Sequence, residues 1–272
     1  MFINELWIEF NFLREDMFIK ALKLDEIKQM EIAGRIVGDT LSLIGKYIRP
    51  GIETLELDKI AEDFIRSKNA IPAFKNYNGF PYTLCISIDE EIVHGFPSTR
   101  KLEAWQIVSV DCGAVFNGYY GDSAVTYPVA DISDEKKRLL KITEEALFEG
   151  IKQAVNKGKL YDISRAIQNY CENAGYSLTR ELTGHGIGKR LHLYPSIPNF
   201  VPPLLARREL PNVKLENGYG LAIEPMVHMG AKECYTDSNG CSVITRDGSP
   251  AAHFEHSVIV NDNSPIILTL RN

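Results

Sequence analysis

The sequence predicts an α+β fold, in which helices and antiparallel strands occupy separate stretches of the chain. Three observations support this prediction: apolar patterns of helical period come in pairs, each pair is followed by short β-rich runs, and the order helix, helix, sheet occurs twice. Because the order repeats, we expect two related halves built around antiparallel sheet, and not a doubly wound parallel sheet.

The first half begins with two predicted helices. Asp25 to Ile48 carries apolar side chains at helical spacing up to an Arg-Pro-Gly breaker, and a shorter apolar stripe runs from Leu55 to Ile65. From 82 to 93 and from 106 to 129 the period changes, and β-rich runs alternate with turn residues. The dipeptide Asn117-Gly118 is the strongest hairpin signal in the chain and predicts that the second run folds back on itself.

The second half repeats this order. Helices are predicted from about Ser133 to Val155 and from about Tyr161 to Ala174, with strand-like runs beyond them. The stretch from Pro198 to Pro211, PNFVPPLLARRELP, is too hydrophobic for a flexible linker and is interpreted as an ordered surface loop. We expect residues 1–24 to form an N-terminal extension and residues 25–272 a single domain.

Composition narrows the classes of function. The 272 residues are 44% hydrophobic, and 30 basic against 36 acidic residues give a net charge of −6, which does not favour nucleic-acid recognition or an anionic membrane. The first residues lack the basic start and cleavage site of a signal peptide. Five scattered cysteines without a C-x-x-C pair argue against a disulfide framework or a zinc knuckle and indicate the reducing cytoplasm.

Two aspartates flank the predicted hairpin turn. A hairpin closed at Asn117-Gly118 pairs Asp122 with Gly113, and since residues two apart share a face, Asp111 and Asp122 point to the same side. Adjacent carboxylates repel each other and need either a shared proton or a cation. The alternative interpretation is that both are solvated hairpin residues.

Two glutamates lie in equally apolar surroundings. Glu224 interrupts LAIEPMV and Glu255 interrupts AHFEHSVIV, where an unpaired carboxylate costs several kcal/mol and neither run offers a lysine or arginine. With His185 of TGHGIG, the four carboxylates would neutralise two divalent ions, and the donor set suits manganese, iron, cobalt or zinc better than calcium. A water held between two such ions is acidic enough to give hydroxide, the nucleophile of a hydrolase.

These residues match a known family. The segment HGFPS at His94, the pair Asp111 and Asp122, TGHGIG at His185, IEPMV at Glu224 and FEHSV at Glu255 resemble, in order and spacing, the motifs of the type I methionine aminopeptidases. The resemblance extends from about residue 25 to residue 260. It implies a pita-bread fold, whose pseudo-two-fold halves surround a central antiparallel sheet, and a single catalytic domain over residues 25–272.

The resemblance also implies roles for individual residues. The two metal ions would be held by five ligands: Asp111, Asp122, His185, Glu224 and Glu255. Of these, Asp122 and Glu255 match the bridging acids, and Glu224 also matches the residue that carries the proton from the metal-bound water. His192 matches a substrate contact near the scissile carbonyl and its oxyanion, and His94 one near the peptide nitrogen.

A specificity pocket is implied in the same way. Tyr77, Phe80 and Cys85 fall where the family places an aromatic and sulfur lining for the methionine side chain, and such a surface suits a flexible thioether. The alternative is that these three residues belong to the core. For His228, His253 and His256, which flank the acids, an orienting role and a plain strand role both remain open.

Three features depart from the family pattern. His192 is followed by Leu193 and Tyr194 where members commonly carry glutamate next, Cys241 replaces a tryptophan frequent in bacterial relatives, and the loop from Pro202 looks longer than usual. We expect these departures to touch the substrate side of the site and to bear on methionine stringency and rate.

The resemblance implies a metal-dependent exopeptidase that removes the initiator methionine when the second residue is small. Its expected partners are nascent polypeptide N-termini and, transiently, the ribosome, and the protein is expected to be a cytoplasmic monomer. Two alternatives stay open: a proline-directed pita-bread aminopeptidase or dipeptidase, and a non-catalytic pita-bread protein that binds nucleic acid or protein.

Overall fold

A computed structural model describes residues 19–271 of the chain. Its α-helices are α1 (Leu24–Gly45), α2 (Thr54–Ser67), α3 (Asp134–Ile151) and α4 (Leu160–Asn173). Its strands are β1 (Ile71–Pro72), β2 (Leu84–Ile88), β3 (Glu91–Val93), β4 (Ile107–Phe116), β5 (Tyr119–Pro128), β6 (Ser177–Leu178), β7 (Thr183–Gly186), β8 (Leu193–Pro198), β9 (Gly220–Ile223), β10 (Met226–His228), β11 (Cys234–Thr236), β12 (Val243–Thr245), β13 (Ala251–His253), β14 (His256–Ile259) and β15 (Ile266–Ile267). The predicted α+β order of two helices followed by sheet therefore occurs in both halves.

The helices begin where local hydrogen bonds satisfy their first N–H groups. At the start of α1 the Glu26 carboxylate accepts the Lys23 N–H at 2.9 Å, and at the start of α3 the Ser133 hydroxyl accepts the Lys136 N–H at 3.3 Å. The apolar face of α1 is completely buried at Met30 and Leu41. None of the helices within residues 19–271 is both long and apolar enough to span a membrane.

The first half is built on the predicted hairpin. Strands β4 and β5 pair antiparallel along their whole length around Asn117 and Gly118, whose φ angles of 48° and 80° are the left-handed values that a tight hairpin turn requires. Strands β1 and β2 pair with the two ends of the other edge of β4, also antiparallel. The hairpin prediction is confirmed, and so is the pairing of Asp122 with Gly113.

The second half centres on an antiparallel sheet of order β15-β14-β9-β7-β8. Hydrogen bonds join it to the hairpin of the first half: the Ser257 hydroxyl accepts the Asp122 N–H at 3.0 Å and donates to the Asp122 carbonyl at 2.7 Å, and the Glu255 N–H donates to the Ala124 carbonyl at 3.0 Å. The two halves therefore meet directly at the predicted acids.

The stretch predicted as a surface loop contains a short 3₁₀ helix, Leu204–Arg208, whose Leu204 and Leu205 are exposed. Tyr161 of α4 anchors the end of this stretch, because its hydroxyl donates to the Leu210 carbonyl and its N–H donates to the Asn212 side chain at 2.9 Å. The N-terminal extension predicted for residues 1–24 lies largely outside the described residues, since the description begins at residue 19.

Helix α1 crosses the hairpin at a contact of two glycines. A Cβ atom added at Gly121 would lie 2.7 Å from the Gly34 nitrogen and 2.9 Å from the Ala33 carbonyl carbon. Because these are backbone atoms, the helix would have to move, and Gly121 immediately precedes Asp122.

We expect Gly121→Ala to lower the free energy of unfolding by about 1–3 kcal/mol, the usual cost of overpacking a tight contact. The matched control is Gly188→Ala, where the added Cβ would meet only leucine side chains at 3.5 Å or more and stability should hardly change. Urea unfolding of both variants measures the difference. Equal losses in the two variants would contradict the argument that the α1 contact requires glycine.

Candidate metal centre and substrate cleft

The hairpin and the second sheet bring the five predicted ligands to one place. Asp111 and Asp122 share a face of the hairpin, as their register requires. On the facing sheet His185 of β7 lies opposite Ala222 of β9, and Glu224 follows β9 directly. Glu255 directly precedes β14, and Glu224 directly follows β9. Because the first residue of β14 pairs with the last residue of β9, the two glutamates lie at the same end of this strand pair.

The distances between these side chains suit a shared cation. Single ligand atoms of Asp122, His185 and Glu255 all lie within 4.8 Å of one another. The His185 Nε2 atom is 3.8 Å from Asp122 Oδ2 and 3.6 Å from Glu224 Oε1. Its Nδ1 atom lies 3.0 Å from the Gly186 carbonyl, a contact that requires the proton on Nδ1 and leaves the Nε2 lone pair facing the carboxylates.

Electrostatics gives the same result. Burial, opposed by nearby His253, raises the pKa of Asp111 to about 7, and burial raises that of Glu224 to about 7. Burial followed by repulsion from neighbouring carboxylates raises the pKa values of Asp122 and Glu255 well above their ordinary range. All four acids are therefore unfavourable as anions without a positive partner.

No hydrogen bond within residues 19–271 compensates these charges fully. The buried oxygens Asp111 Oδ1, Asp122 Oδ1 and Glu255 Oε1 all lack a hydrogen-bond partner there. Carboxylate oxygens with one imidazole nitrogen are the donors that borderline divalent ions prefer. The residues therefore fit a divalent metal centre, which the sequence predicts at this position.

The acids form the inner end of a cleft of about 360 Å³. Its lining residues are Phe74, Tyr77, Asn78, Phe80, Cys85, Val93, His94, Asp111, Asp122, Arg180, Glu181, Leu182, Thr183, His185, Leu191, His192, Ser196, Glu209, Leu210, Glu224, Met226, Cys241 and Glu255. All ten predicted site residues are among them. One end of this cleft thus carries charge and another presents apolar and aromatic surface.

Two histidines that are not predicted ligands also line the cleft. The Tyr77 hydroxyl lies 2.9 Å from His192 Nδ1, and the rings of His192 and His185 are 4.4 Å apart. Burial lowers the pKa of His192 and lowers that of His94 to about 4, so both rings are neutral at pH 7. His94 has a left-handed φ of 60°, a strained value for a residue other than glycine and one often found at functional sites.

The predicted specificity residues occupy the apolar side. Cys85 of β2 pairs with Asp111 of β4, which places the thiol on the same face of the sheet as the acid. Phe80 packs edge-on against Phe96 with ring centroids 5.2 Å apart. The position of these residues in the cleft agrees with the pocket prediction, and their contact with methionine stays a prediction.

Of the three features that depart from the family pattern, two line the cleft and one does not. Cys241 lines the cleft, and the long loop reaches it through Glu209 and Leu210. Leu193 and Tyr194 are not among the lining residues, and Leu193 packs beside Gly188. Their effect on the substrate side stays a prediction.

Several residues that line the cleft were not predicted from the sequence. Phe74 and Leu191 have no polar atom in their side chains, and nothing in their local sequence distinguishes them from core residues. Glu181 immediately precedes the segment LTGHGIG. A charged residue next to this glycine-rich motif is a signal from which Glu181 could have been predicted. The contribution of Leu210 depends on the path of a long loop, which no local pattern specifies.

Among the three flanking histidines, only His253 has a nitrogen recorded close to a predicted acid. His228 Nε2 lies 2.7 Å from the Thr179 hydroxyl and its Nδ1 2.9 Å from the Ala231 carbonyl. His256 Nδ1 lies 2.8 Å from the Thr269 hydroxyl. His253 Nε2, by contrast, is 3.5 Å from Glu224 Oε2.

We expect Mn²⁺ at about one hundred times its dissociation constant to stabilise the metal-stripped protein by about 2.7 kcal/mol, which raises the Tm by several degrees. Asp122→Asn should lose most of this response. Without metal, the same variant should be at least as stable as the wild type, because it removes one of the repelling charges.

Differential scanning calorimetry with and without Mn²⁺ measures both effects. Asp131→Asn, which changes an exposed carboxylate, is the matched control and should respond to Mn²⁺ like the wild type. A full Mn²⁺ response in the Asp122 variant would exclude this carboxylate as a ligand.

Comparison with known proteins agrees with the geometry. The profile of metallopeptidase family M24 matches residues 28–262. The methionine aminopeptidase of Clostridium acetobutylicum is 49% identical over 246 residues, which cover 90% of this chain and 96% of the relative, and methionine aminopeptidase 1 of Bacillus subtilis is 48% identical with the same coverage of both chains.

Solved structures give the same result. The crystal structure of a methionine aminopeptidase from Thermotoga maritima superimposes with a TM-score of 0.89 at 38% identity, covering 93% of this chain and all of that chain. A prolidase from Pyrococcus furiosus superimposes with a TM-score of 0.73 at 19% identity over 95% of this chain and 67% of the other, a similarity of fold alone. The pita-bread fold predicted from the sequence is confirmed.

Proposed function

Because the chain belongs to the methionine aminopeptidases of metallopeptidase family M24, we propose that it removes the initiator methionine from nascent proteins whose second residue is small. The observation that carries this proposal is the cleft itself, in which buried carboxylate oxygens without hydrogen-bond partners lie beside an aromatic and thiol surface. The acids would hold the reaction centre, and the apolar surface would hold the thioether side chain.

We propose that Asp111, Asp122, His185, Glu224 and Glu255 would hold two divalent ions, of manganese, iron, cobalt or zinc, and that Asp122 and Glu255 would serve both ions. When bound, such ions polarise a substrate carbonyl and lower the pKa of a water molecule into the neutral range. The support for this ligand set is the raised pKa of each acid and the His185 Nε2 lone pair that faces them.

Glu224 is proposed to carry a proton from the attacking water to the leaving amine. Burial raises the pKa of this carboxyl group to about 7, so that uptake and release of a proton near neutral pH have similar free energies. The group lies at the inner end of the cleft, where it can pass the proton to the amine that leaves when the peptide bond breaks.

His192 and His94 are proposed to contact the peptide. If the Tyr77 hydroxyl donates to His192 Nδ1, the proton of the neutral ring is on Nε2, from which it can be donated to the scissile carbonyl oxygen as negative charge develops there. His94 would bind near the peptide nitrogen. The low pKa values of both rings support a role for neutral imidazole.

For the methionine side chain we propose a pocket formed by Tyr77, Phe80 and Cys85. Burial raises the pKa of the Cys85 thiol well above its ordinary value, which keeps the sulfur uncharged beside a thioether. Cys241 lines the same cleft, and its thiol has a pKa raised by burial to about 11. Both sulfurs are therefore neutral apolar surface at pH 7.

We propose that residues 25–272 form one catalytic domain and that the protein acts as a cytoplasmic monomer on nascent N-termini, with transient association with the ribosome. Free thiols at all five cysteines support a reducing compartment.

Hydrolysis of four peptides tests the proposed function: Met-Ala-Ser, Met-Lys-Ser, Leu-Ala-Ser and Ala-Pro-Ala, each with metal-stripped protein and added Mn²⁺, Fe²⁺, Co²⁺ or Zn²⁺. We expect metal-dependent release of the first residue from Met-Ala-Ser and little from the others. Cleavage only before proline would assign the chain to the prolidase type, and no cleavage with any metal would favour a binding protein.

Tyr77→Phe removes the hydroxyl that contacts His192 and should lower kcat about two- to tenfold, the effect of losing a hydrogen bond worth about 0.5–1.5 kcal/mol. Steady-state kinetics on Met-Ala-Ser measure it. Tyr82→Phe is the control, because its ring packs edge-on against Phe80 and Phe96 at the margin of the cleft and its kcat should not change. Equal kcat values for the Tyr77 variant and the wild type would remove this contact from the mechanism.

A further inference from the structure

His253 is a buried polar side chain beside the carboxylates, outside the predicted ligand set. It is 2% exposed, and its Nε2 atom has no hydrogen-bond partner of normal length within residues 19–271. The nearest charged atom recorded for this nitrogen is Glu224 Oε2 at 3.5 Å. A buried nitrogen at this distance from a carboxylate needs an explanation, since an unsatisfied polar group is costly.

The main chain holds His253 in place. Its N–H donates to the Thr126 hydroxyl at 2.9 Å, and the same hydroxyl donates to its carbonyl at 2.9 Å. On its other side β13 pairs with β10, with His253 opposite Met226, two residues after Glu224. The backbone therefore fixes the ring next to Glu224.

The surroundings also determine the tautomer. Asp111 and Glu224 are the acids that interact with this ring. A lone pair on Nε2 would face negative charge, whereas an N–H group there is attracted to it, so the proton of the neutral ring belongs on Nε2. The ring thus presents an N–H group on the side of Glu224 Oε2, 3.5 Å away.

Glu224 consequently lies between two imidazole rings of opposite character. Its Oε1 atom is 3.6 Å from His185 Nε2, which presents a lone pair, and its Oε2 atom is 3.5 Å from His253 Nε2, which presents a proton. This arrangement distinguishes the two oxygens: Oε2 faces an N–H group, whereas Oε1 faces a lone pair with which it could share a cation.

We propose that His253 is a positioning residue that donates from Nε2 to Glu224 Oε2 and so fixes the orientation in which Oε1 binds metal. This inference rests on the proposed function only through the assignment of Glu224 to the metal centre. His253 acts through Glu224 and is not among the residues that line the cleft.

Calorimetric titration of metal-stripped protein with Mn²⁺, without peptide, tests the role of His253. We expect His253→Leu to weaken Mn²⁺ binding about 10- to 100-fold, as is typical when the hydrogen-bond partner of a metal ligand is removed. His253→Gln, whose amide nitrogen reaches the place of Nε2, should bind almost as the wild type does. His253→Asn carries the same amide one methylene short of Glu224 and should be weakened like the leucine variant.

His228→Leu is the matched control, because this buried histidine bonds to Thr179 and Ala231, away from the acids. It should lose stability and keep its Mn²⁺ affinity. Wild-type affinity in His253→Leu, or equal affinities in the glutamine and asparagine variants, would overturn the proposal. If the leucine variant does not fold, the comparison of glutamine with asparagine decides. A wild-type protein that binds Mn²⁺ and leaves Met-Ala-Ser intact would contradict the proposed function alone.

Discussion

The repulsion among four carboxylates at the inner end of one cleft is the constraint on which the rest of the structure depends. Two unit charges about 4 Å apart repel by roughly 4 kcal/mol at the effective dielectric constant of a protein near its surface. That is more than a typical hydrogen bond contributes to stability, about 1 kcal/mol. A flexible arrangement of these side chains would therefore separate, and the fold has to prevent it.

The backbone prevents separation by joining the two halves next to the acids. Both the N–H and the carbonyl of Asp122 bond to the Ser257 hydroxyl, and the N–H of Glu255 bonds to the carbonyl of Ala124. The acids thus cannot move apart without breaking bonds between the sheets. Repulsion can be relieved only by protons or by a cation, and the raised pKa values express the first of these responses.

How much of this could be predicted depends on the sequence distance between the partners. The pairing of Asp122 with Gly113 follows from a local turn signal and from strand alternation, and the sequence predicts it correctly. The approach of His185 to Glu224 depends on pairing between strands far apart in the chain. The residues alone therefore indicated that the four acids and His185 suit two divalent ions, but not how close these side chains lie. The resemblance to a family implied a role for each of these residues, and the structure gives the distances between them.

The contrast between local and distant signals also explains which boundary was predicted wrongly and which lining residues were not predicted. The helix predicted to Ile48 ends at Gly45, because the apolar spacing continues beyond the end of the helix. Leu193 follows His192, which lines the cleft, yet Leu193 itself packs beside Gly188. Phe74 and Leu210 enter the cleft through the paths of loops, for which the sequence contains no periodic signal.

Backbone hydrogen bonding also decides which polar groups remain available for chemistry. His228, His253 and His256 lie in similar apolar runs, and their sequences do not distinguish them. In the structure, His228 bonds to Thr179 and Ala231, and His256 bonds to Thr269. His253 has its main chain satisfied by Thr126 and its ring nitrogen directed at an acid. The properties of the centre therefore depend on the polar atoms that the fold leaves there without structural partners, among them Asp111 Oδ1, Asp122 Oδ1, Glu255 Oε1 and His253 Nε2.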